Sequence, residues 1–370
     1  MKKFKVISVV GTRPNFIKVA PICRAFAKYG DRIESLLCHT GQHSDAAMSD
    51  VFFNELGMPV PDFFLNINNG SHAEITGRIM IEFEKILIAH KPDMVLVVGD
   101  VNSTMACALA AVKLGIKVVH VEAGLRSGDR TMPEEINRVV TDAISDYLFV
   151  TEKSGMENLM KEGVPASKVF FTGNVMIDTL VYLDKKIAGS EVLAKLGLTA
   201  GNYILVTFHR PSNVDEKENL EALVNFLNSI SGAMPVVFPI HPRTKINLKK
   251  FDLLESVAPA VMLLDPLGYI EFQALTRYSK AVVTDSGGIQ EETTFLGVQC
   301  VTVRDNTERP VTIEVGTNQL CGTDLIVVSA KVNEILAGKE KHGKIPDMWD
   351  GAAALRIVNI LVDLLYKHVK

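Results

Sequence analysis

The stretch Ala281-Val-Val-Thr-Asp-Ser-Gly-Gly-Ile-Gln-Glu-Glu292 joins an apolar run to two candidate capping residues, two glycines and a carboxylate-bearing segment. Ala281 to Val283 have no polar face, which suits a parallel strand buried on both sides. Asp285 and Ser286 are candidate N-caps, and Gly287 and Gly288 let the backbone approach a partner closely. The reading is strand, tight turn, helix, with the N–H groups of the helix start turned toward an anion. The same unit recurs along the chain. "KVISVVG", "MVLVVGD", "KVVHVEAG" and "YLFVTE" are Val- and Ile-rich runs in the first half, separated by helix-period segments such as "AEITGRIMIEFEKILIAHK" and "STMACALAAVKLG". After the polar stretch "DKKIAGSEVLAKLGLTAGN" the alternation restarts with "YILVTFHR", "PVVFPIHP", "VMLLD", "AVVTDSGG" and "CVTVRD". The pattern predicts an α/β protein of two doubly wound, Rossmann-like domains facing across a cleft and joined between Val175 and Gly201. The first helix is expected to begin at Pro14. The last one, "AALRIVNILVDLLYKHV", either caps the second domain or crosses back to the first.

The chain has 370 residues, 47% of them hydrophobic and 22% charged, with a formal net charge of -4. That length holds two cores, and the charge balance points away from nucleic acid and anionic membrane partners. Five cysteines are scattered without a CxxC pair, so reduced, buried thiols are expected rather than a disulfide framework or a zinc site. "MKKFKVISVVG" has too short an apolar run for a signal peptide and reads as the first strand, and no run approaches membrane-spanning length. The expected location is cytoplasmic.

In open parallel sheets ligands collect at the carboxyl ends of the strands. The polar clusters lie there: Gly11-Thr12-Arg13, Gly99-Asp100, Glu122-Ala123-Gly124, His209-Arg210, His241 and Asp285 to Gly288. "GTRPNFIK" is not a dinucleotide fingerprint, so Arg13 and Lys18 are placed to meet a phosphate or an acidic side chain. Asp100 is either an N-cap or an acid/base group. Glu122 ends a buried strand, where a carboxylate must be paired or used. Glu134 and Glu135 open a helix, and Arg126, Arg130 and Arg138 are available partners. Three carboxylates sharing one site would raise one another's proton affinity and supply both an acid and a base; internal ion pairing is the competing reading. His209 and His241 occupy equivalent strand exits, which favours a function for at least one. In the second domain the turn Ser286-Gly287-Gly288 is a phosphate cradle, Glu292 a ribose ligand, and Arg304 and Arg309 further cations.

"GTRPNFIKVAP", "TGQH", "KPDMVLVVGD", "HVEAGLRSGD", "MPEEINR", "TGNVMIDTL", "TDSGGIQEE" and "RDNTERP", in this order, resemble the non-hydrolysing UDP-N-acetylglucosamine 2-epimerases. The resemblance runs over nearly the whole chain. It implies the GT-B fold, with residues 1–175 plus 354–370 as the acid/base domain and 176–353 as the UDP-binding domain. It implies a catalytic set of Asp100, Glu122, Glu134 and His209. Substrate contacts would come from Arg13, Lys18, Arg138, Phe272, Ser286, Gly287, Gly288, Glu292 and Arg309. Leu267 stands where relatives carry a polar residue, which leaves base recognition there to backbone groups. Gln42, His43 and His241 are candidates for a regulatory UDP-sugar site, although "SGDRTMPEE" and "HRPSNVD" depart from the bacterial pattern beside it. The implied chemistry is elimination of UDP to 2-acetamidoglucal and re-addition, with no metal or cofactor, in a homodimer serving cell-envelope polysaccharide synthesis. "NTERP" leans toward UDP-N-acetylglucosamine; "HTGQHSDAAMSDVFF" and "MPEEINR" resemble relatives acting on UDP-2,3-diacetamido-glucuronic acid. A glycosyltransferase, a hydrolysing epimerase and a non-catalytic UDP-sugar sensor are the other readings.

Overall fold

The computed structural model describes residues 3–41 and 53–367. The chain divides into two compact units, Met1–Tyr182 with Asp347–Lys370, and Leu183–Pro346.

Among the described residues the first unit carries seven strands: β1 Phe4–Val10, β2 Ile33–His39, β3 Phe63–Phe64, β4 Met94–Val98, β5 Lys117–Ala123, β6 Tyr147–Val150 and β7 Val169–Phe171. They pair in parallel in the order β3-β2-β1-β4-β5-β6-β7. Strand β4 is buried at every position, as its unbroken Met-Val-Leu-Val-Val run requires. One face of the sheet is covered by the helices His72–His90 and Asn102–Lys113. Ile79, Phe83 and Leu87 from the first and Ala106, Ala110 and Ala111 from the second pack over Ile7, Val9, Val95 and Val97. The helix at His72 starts with a reciprocal cap: Ser71 Oγ accepts from Glu74 N at 3.3 Å and Glu74 Oε2 accepts from Ser71 N at 2.7 Å. The first helix runs from Arg13 to Ala27, so Pro14 sits inside its opening turn rather than at its first residue.

That helix packs against Val175–Tyr182 and against the last helix, Ala353–Lys367. The Thr179 hydroxyl donates to the Ile17 carbonyl at 2.6 Å. Trp349 is buried and donates to the Thr151 carbonyl at 3.0 Å. The first unit therefore continues to Tyr182 and resumes at Asp347, a wider share of the chain than 1–175 plus 354–370.

In the second unit, β8 Ile204–Thr207, β9 Val236–Pro239, β10 Val261–Leu264, β11 Ala281–Thr284, β12 Gln299–Thr302 and β13 Asn318–Leu320 pair in parallel in the order β10-β9-β8-β11-β12-β13. Leu223, Phe226, Leu227 and Ile230 of the helix Lys217–Ser231, with Val328, Val332 and Ile335 of Leu325–Leu336, fill one face. The polar stretch 184–202, where the strand and helix alternation pauses, lies in this unit, within the 176–353 range expected for the second domain. Its short helices Asp184–Ala188 and Val192–Lys195 lie on the helix Tyr269–Tyr278, and Asp184 pairs with Arg277.

Each sheet has one switch point, between β1 and β4 and between β8 and β11, where successive connections leave in opposite directions. Crevices at the carboxyl ends of such points are the binding positions of this architecture. Cys23, Cys38, Cys107 and Cys300 are buried, and burial pushes the Cys23 and Cys38 thiols up to about 12. Among the described residues no helix is long and apolar enough to cross a membrane.

Candidate active site

At the first switch point the turn after β1 is tied to the exit of β4 by one side chain. Asn15 Oδ1 accepts from Thr12 N at 3.2 Å, and its Nδ2 donates to the Val98 carbonyl at 2.9 Å. This fixes the start of the first helix and with it Lys18, one turn further on. Lys18 Nζ lies 2.5 Å from Glu122 Oε2, with both side chains almost wholly buried. Glu122 adopts a left-handed backbone, φ 71°, where β5 slips register against β6 between Val121 and Ala123. Such a bulge re-aims a side chain, and the conformation costs a non-glycine residue about 1–2 kcal/mol. Gly99, φ 71°, adopts a backbone conformation that side-chain-bearing residues rarely take, next to the Lys18 ammonium.

Asp100 does not cap the following helix; Val101 holds that position. Its carboxylate is paired with Arg138, and its carbonyl accepts from Asn137 Nδ2 at 2.8 Å. Arg138 also donates from Nε and Nη2 to Glu135 Oε2, at 3.0 and 2.8 Å. Glu135 accepts in addition from Ser127 N at 3.0 Å and Gly128 N at 2.9 Å. Burial alone would raise its proton affinity, but the two amides and Arg138 hold its carboxyl below the ordinary value. Glu134 is exposed, Arg13 half-buried. Burial lowers the Arg13 guanidinium, with Glu55 acting in the opposite sense. Two of the three expected acid/base carboxylates thus have a cation each, Asp100 with Arg138 and Glu122 with Lys18. Of the two readings open in the sequence, mutual repulsion and internal ion pairing, these two carboxylates follow the second.

At the second switch point β8 delivers His209 and β11 delivers Asp285. Their strands end side by side, with Thr207 Oγ1 and Thr284 Oγ1 2.7 Å apart. Asp285 is fully buried and is not a cap; Ser286 holds that position without a side-chain bond. Asp285 instead accepts from the backbone of His209 at 3.0 Å and of Arg210 at 2.9 Å, and from Asn213 Nδ2 at 3.1 Å. Its Oδ1 lies 2.8 Å from His209 Nδ1. Burial would raise this carboxyl, yet His209 and the amides outweigh it and hold the carboxyl below its ordinary value. His209 is thus held by Nδ1 against a buried carboxylate, on a side chain that is 43% exposed. His241 is the exposed N-cap of the helix Pro242–Lys250; its Nδ1 accepts from Arg243 N at 3.2 Å. Its ring centre is 5.8 Å from that of His209. The other two regulatory candidates, Gln42 and His43, lie outside the described residues.

Gly287 and Gly288 are the first residues of the helix Gly287–Leu296, behind Ser286. A Cβ on Gly287 would come within 2.7 Å of Glu308 Oε1 and 2.9 Å of Arg309 Nη1, so this glycine makes room for an internal ion pair. Arg309 is buried, bonded to Glu308 and 2.9 Å from Glu291 Oε1, and Glu308 in turn meets Arg304 at 2.7 Å. Glu292 is buried, its Oε1 accepting from the Tyr269 hydroxyl at 3.0 Å. Phe272 and Leu267 are half-buried nearby in sequence to Tyr269. The sequence did not single out Asn15, named Glu135 only as a helix-opening acid with Arg138 as an available partner, and offered Asp285 and Ser286 alike as caps. Asp285 stood in the quoted motif, but only the pairing of β8 with β11 shows that it faces His209.

Over residues 27–362 the chain matches the family profile described as UDP-N-acetylglucosamine 2-epimerase. It is 44% identical over 364 residues to the UDP-N-acetylglucosamine 2-epimerase of Methanocaldococcus jannaschii, covering 96% of this chain and 98% of the relative. It is 42% identical over 335 residues to the UDP-2,3-diacetamido-2,3-dideoxy-D-glucuronate 2-epimerase of Pseudomonas aeruginosa, covering 89% and 92%. The crystal structure of the Methanocaldococcus jannaschii UDP-GlcNAc 2-epimerase in complex with UDP-GlcNAc and UDP matches with a TM-score of 0.90 and 43% identity, over 97% of this chain and 99% of that one. Similarity of sequence and fold across almost the full length places the chain in the UDP-N-acetylglucosamine 2-epimerase family, with its pair of Rossmann-like domains of the GT-B class.

Proposed function

We propose that this protein interconverts UDP-N-acetylglucosamine and UDP-N-acetylmannosamine without net hydrolysis. C2 of the sugar is not adjacent to a carbonyl, so removing its proton directly is prohibitively hard. Elimination avoids the problem. A base takes the C2 proton, the C1–O bond to UDP breaks, and 2-acetamidoglucal and UDP result. Return of a proton to the opposite face of C2 and attack of the diphosphate oxygen on C1 give the epimer, and the proton count closes. Asp100, Glu122 and Glu134 are assigned to the proton transfers and to the positive charge that grows at C1. His209, Arg13, Lys18 and Arg138 are assigned to the sugar and the departing diphosphate, where preorganised donors stabilise developing charge. Ser286, Gly287 and Gly288 are assigned to phosphate, Glu292 to the ribose, and Phe272 and Arg309 to the walls around the nucleotide.

The observation that carries this reading is the buried Lys18–Glu122 pair beside the Asp100–Arg138 pair at a strand-end switch point. A carboxylate on a strained, bulged strand is a poor stability device and a good reactive group. Incubation of the pure protein with UDP-N-acetylglucosamine in D2O, followed by NMR, tests it. UDP-N-acetylmannosamine with deuterium at C2 is the expected product. Free N-acetylmannosamine would mean hydrolysis, and an unchanged spectrum would exclude this substrate. The 42% identity to the Pseudomonas aeruginosa relative favours one second reading, the same chemistry on a UDP-2,3-diacetamido-glucuronic acid. Running both sugars side by side decides between them.

A further inference from the structure

His120 and Asp142 form a fully buried pair that has no part in the reaction as assigned above. His120 Nδ1 lies 2.6 Å from Asp142 Oδ1, and His120 Nε2 lies 2.8 Å from the Gly99 carbonyl. The ring thus bridges the helix carboxylate and the strand-end carbonyl through its two nitrogens. The other oxygen of Asp142 accepts from Gly124 N at 3.0 Å and faces Arg126 Nη1 at 2.7 Å. Each contact falls on backbone next to a proposed proton-transfer group. The Gly99 carbonyl belongs to the peptide that enters Asp100, and Gly124 is two residues beyond Glu122. Gly99 N also donates to the Val121 carbonyl at 3.0 Å, closing the link between the two strand ends. Asp142 sits four residues after Arg138 on the helix Pro133–Ile144, so one helix face holds the Asp100 side chain and, through His120, the Asp100 backbone.

We propose that His120 and Asp142 are positioning residues, a buried clamp that sets the spacing between Asp100 and Glu122. The proposal rests on the reading that these two carboxylates serve the C2 proton transfers. The clamp touches no substrate and acts only through the backbone on which the two groups stand. A misplacement on the order of 1 Å is enough to cost about 100-fold in rate.

The test uses the full chain carrying His120→Phe, which keeps the ring and removes both ring-nitrogen contacts, or Asp142→Ala, which removes the carboxylate. With the UDP-sugar that the unaltered protein turns over, kcat and C2 deuterium exchange should fall together by about 10–100-fold. KM and the dissociation constant for UDP should stay within about twofold, because the nucleotide groups are untouched. Unchanged kcat in both folded variants overturns the proposal. So does a loss of UDP affinity that tracks lost thermal stability, and so does failure of both variants to fold, since each assigns the pair a structural role only. Asp100→Asn and Glu122→Gln run alongside separate the two ideas. If those retain full C2 exchange, the assignment of the carboxylates fails whatever the clamp variants do.

Discussion

Glu122 combines two unfavourable features, a left-handed backbone and a buried charge, and Lys18 offsets the second. Glu122→Gln preserves shape but leaves the Lys18 ammonium facing an amide. We expect UDP affinity to persist and C2 exchange to disappear, with stability falling by on the order of 3 kcal/mol, the scale for breaking a buried pair. Calorimetric titration with UDP and deuterium exchange at C2 read the two effects separately; normal exchange would remove Glu122 from the catalytic set. Arg309 poses a different case. Sequence placed it on the pocket wall, and the structure buries it between Glu291 and Glu308. Arg309→Ala removes a cation from between two buried carboxylates, so the melting temperature should drop strongly, by the equivalent of about 3–5 kcal/mol, together with weaker UDP binding. A variant that melts like the parent would refute the network account. The choice between an anion and an acidic side chain for Lys18 was open in the sequence, because both present oxygen to an ammonium. Only the bulge in β5, which no residue type announces, turns Glu122 toward it.

The helix Pro133–Ile144 shows where element-scale reading stops. Its start was legible from Glu134 and Glu135, two acids that the helix dipole favours. Its phase was not. Neighbouring residues on a helix point about 100° apart, and nothing in "MPEEINR" says that Glu135 turns inward while Glu134 faces solvent. The inward face carries Glu135, Arg138 and Asp142, the spacing that lines up one side of a helix. Glu135 closes the loop before the helix by accepting two consecutive amides. Glu135→Gln should weaken both bonds and release Arg138 from one side. Amide hydrogen exchange should therefore speed up at Ser127 and Gly128 by about tenfold or more, the factor for a loss of about 1.4 kcal/mol. Protection in the core of β4 should not change; equal exchange at the two loop amides would contradict the brace. Nine of the thirteen described strands were readable as apolar runs ended by a polar cluster; β2, which carries Glu34 and Ser35, the short β3 and β7, and the polar β13 were not. Segment 184–202 was read only as a polar stretch within the second domain's range; its two short helices, with Ile187 and Val192 buried, were not anticipated.

At the scale of the molecule, the return of the last helix to the first unit depends on Asp178. The carboxylate accepts from Ala353 N at 3.0 Å and Ala354 N at 2.7 Å, capping a helix that begins far downstream. The return was anticipated from family resemblance; amphipathic patterning alone left the helix free to cover either unit. Burial pushes Asp178 up to about 6, and the two amides and Arg356 offset it only in part. The sign follows from proton counting. Between the ordinary carboxylate value of about 4 and the folded value of about 6, folded Asp178 binds more protons than the unfolded chain does. Its contribution to stability is therefore fully present below about pH 4 and is lost as pH rises through about 6, amounting to on the order of 2–3 kcal/mol. Asp142 and Asp285, held below their ordinary values, act in the opposite sense: their stabilisation stands at neutral pH and goes only as pH falls below about 4. Within the window from 4 to 6 these two stay silent, and Asp178 can be isolated by comparison with Asp178→Asn. We expect the stability of the parent, relative to this variant, to rise steadily from pH 7 to pH 4.5 in thermal or urea unfolding. A difference that stays flat with pH would mean that the Asp178 carboxylate remains charged throughout. The two helix-start amides would then outweigh its burial.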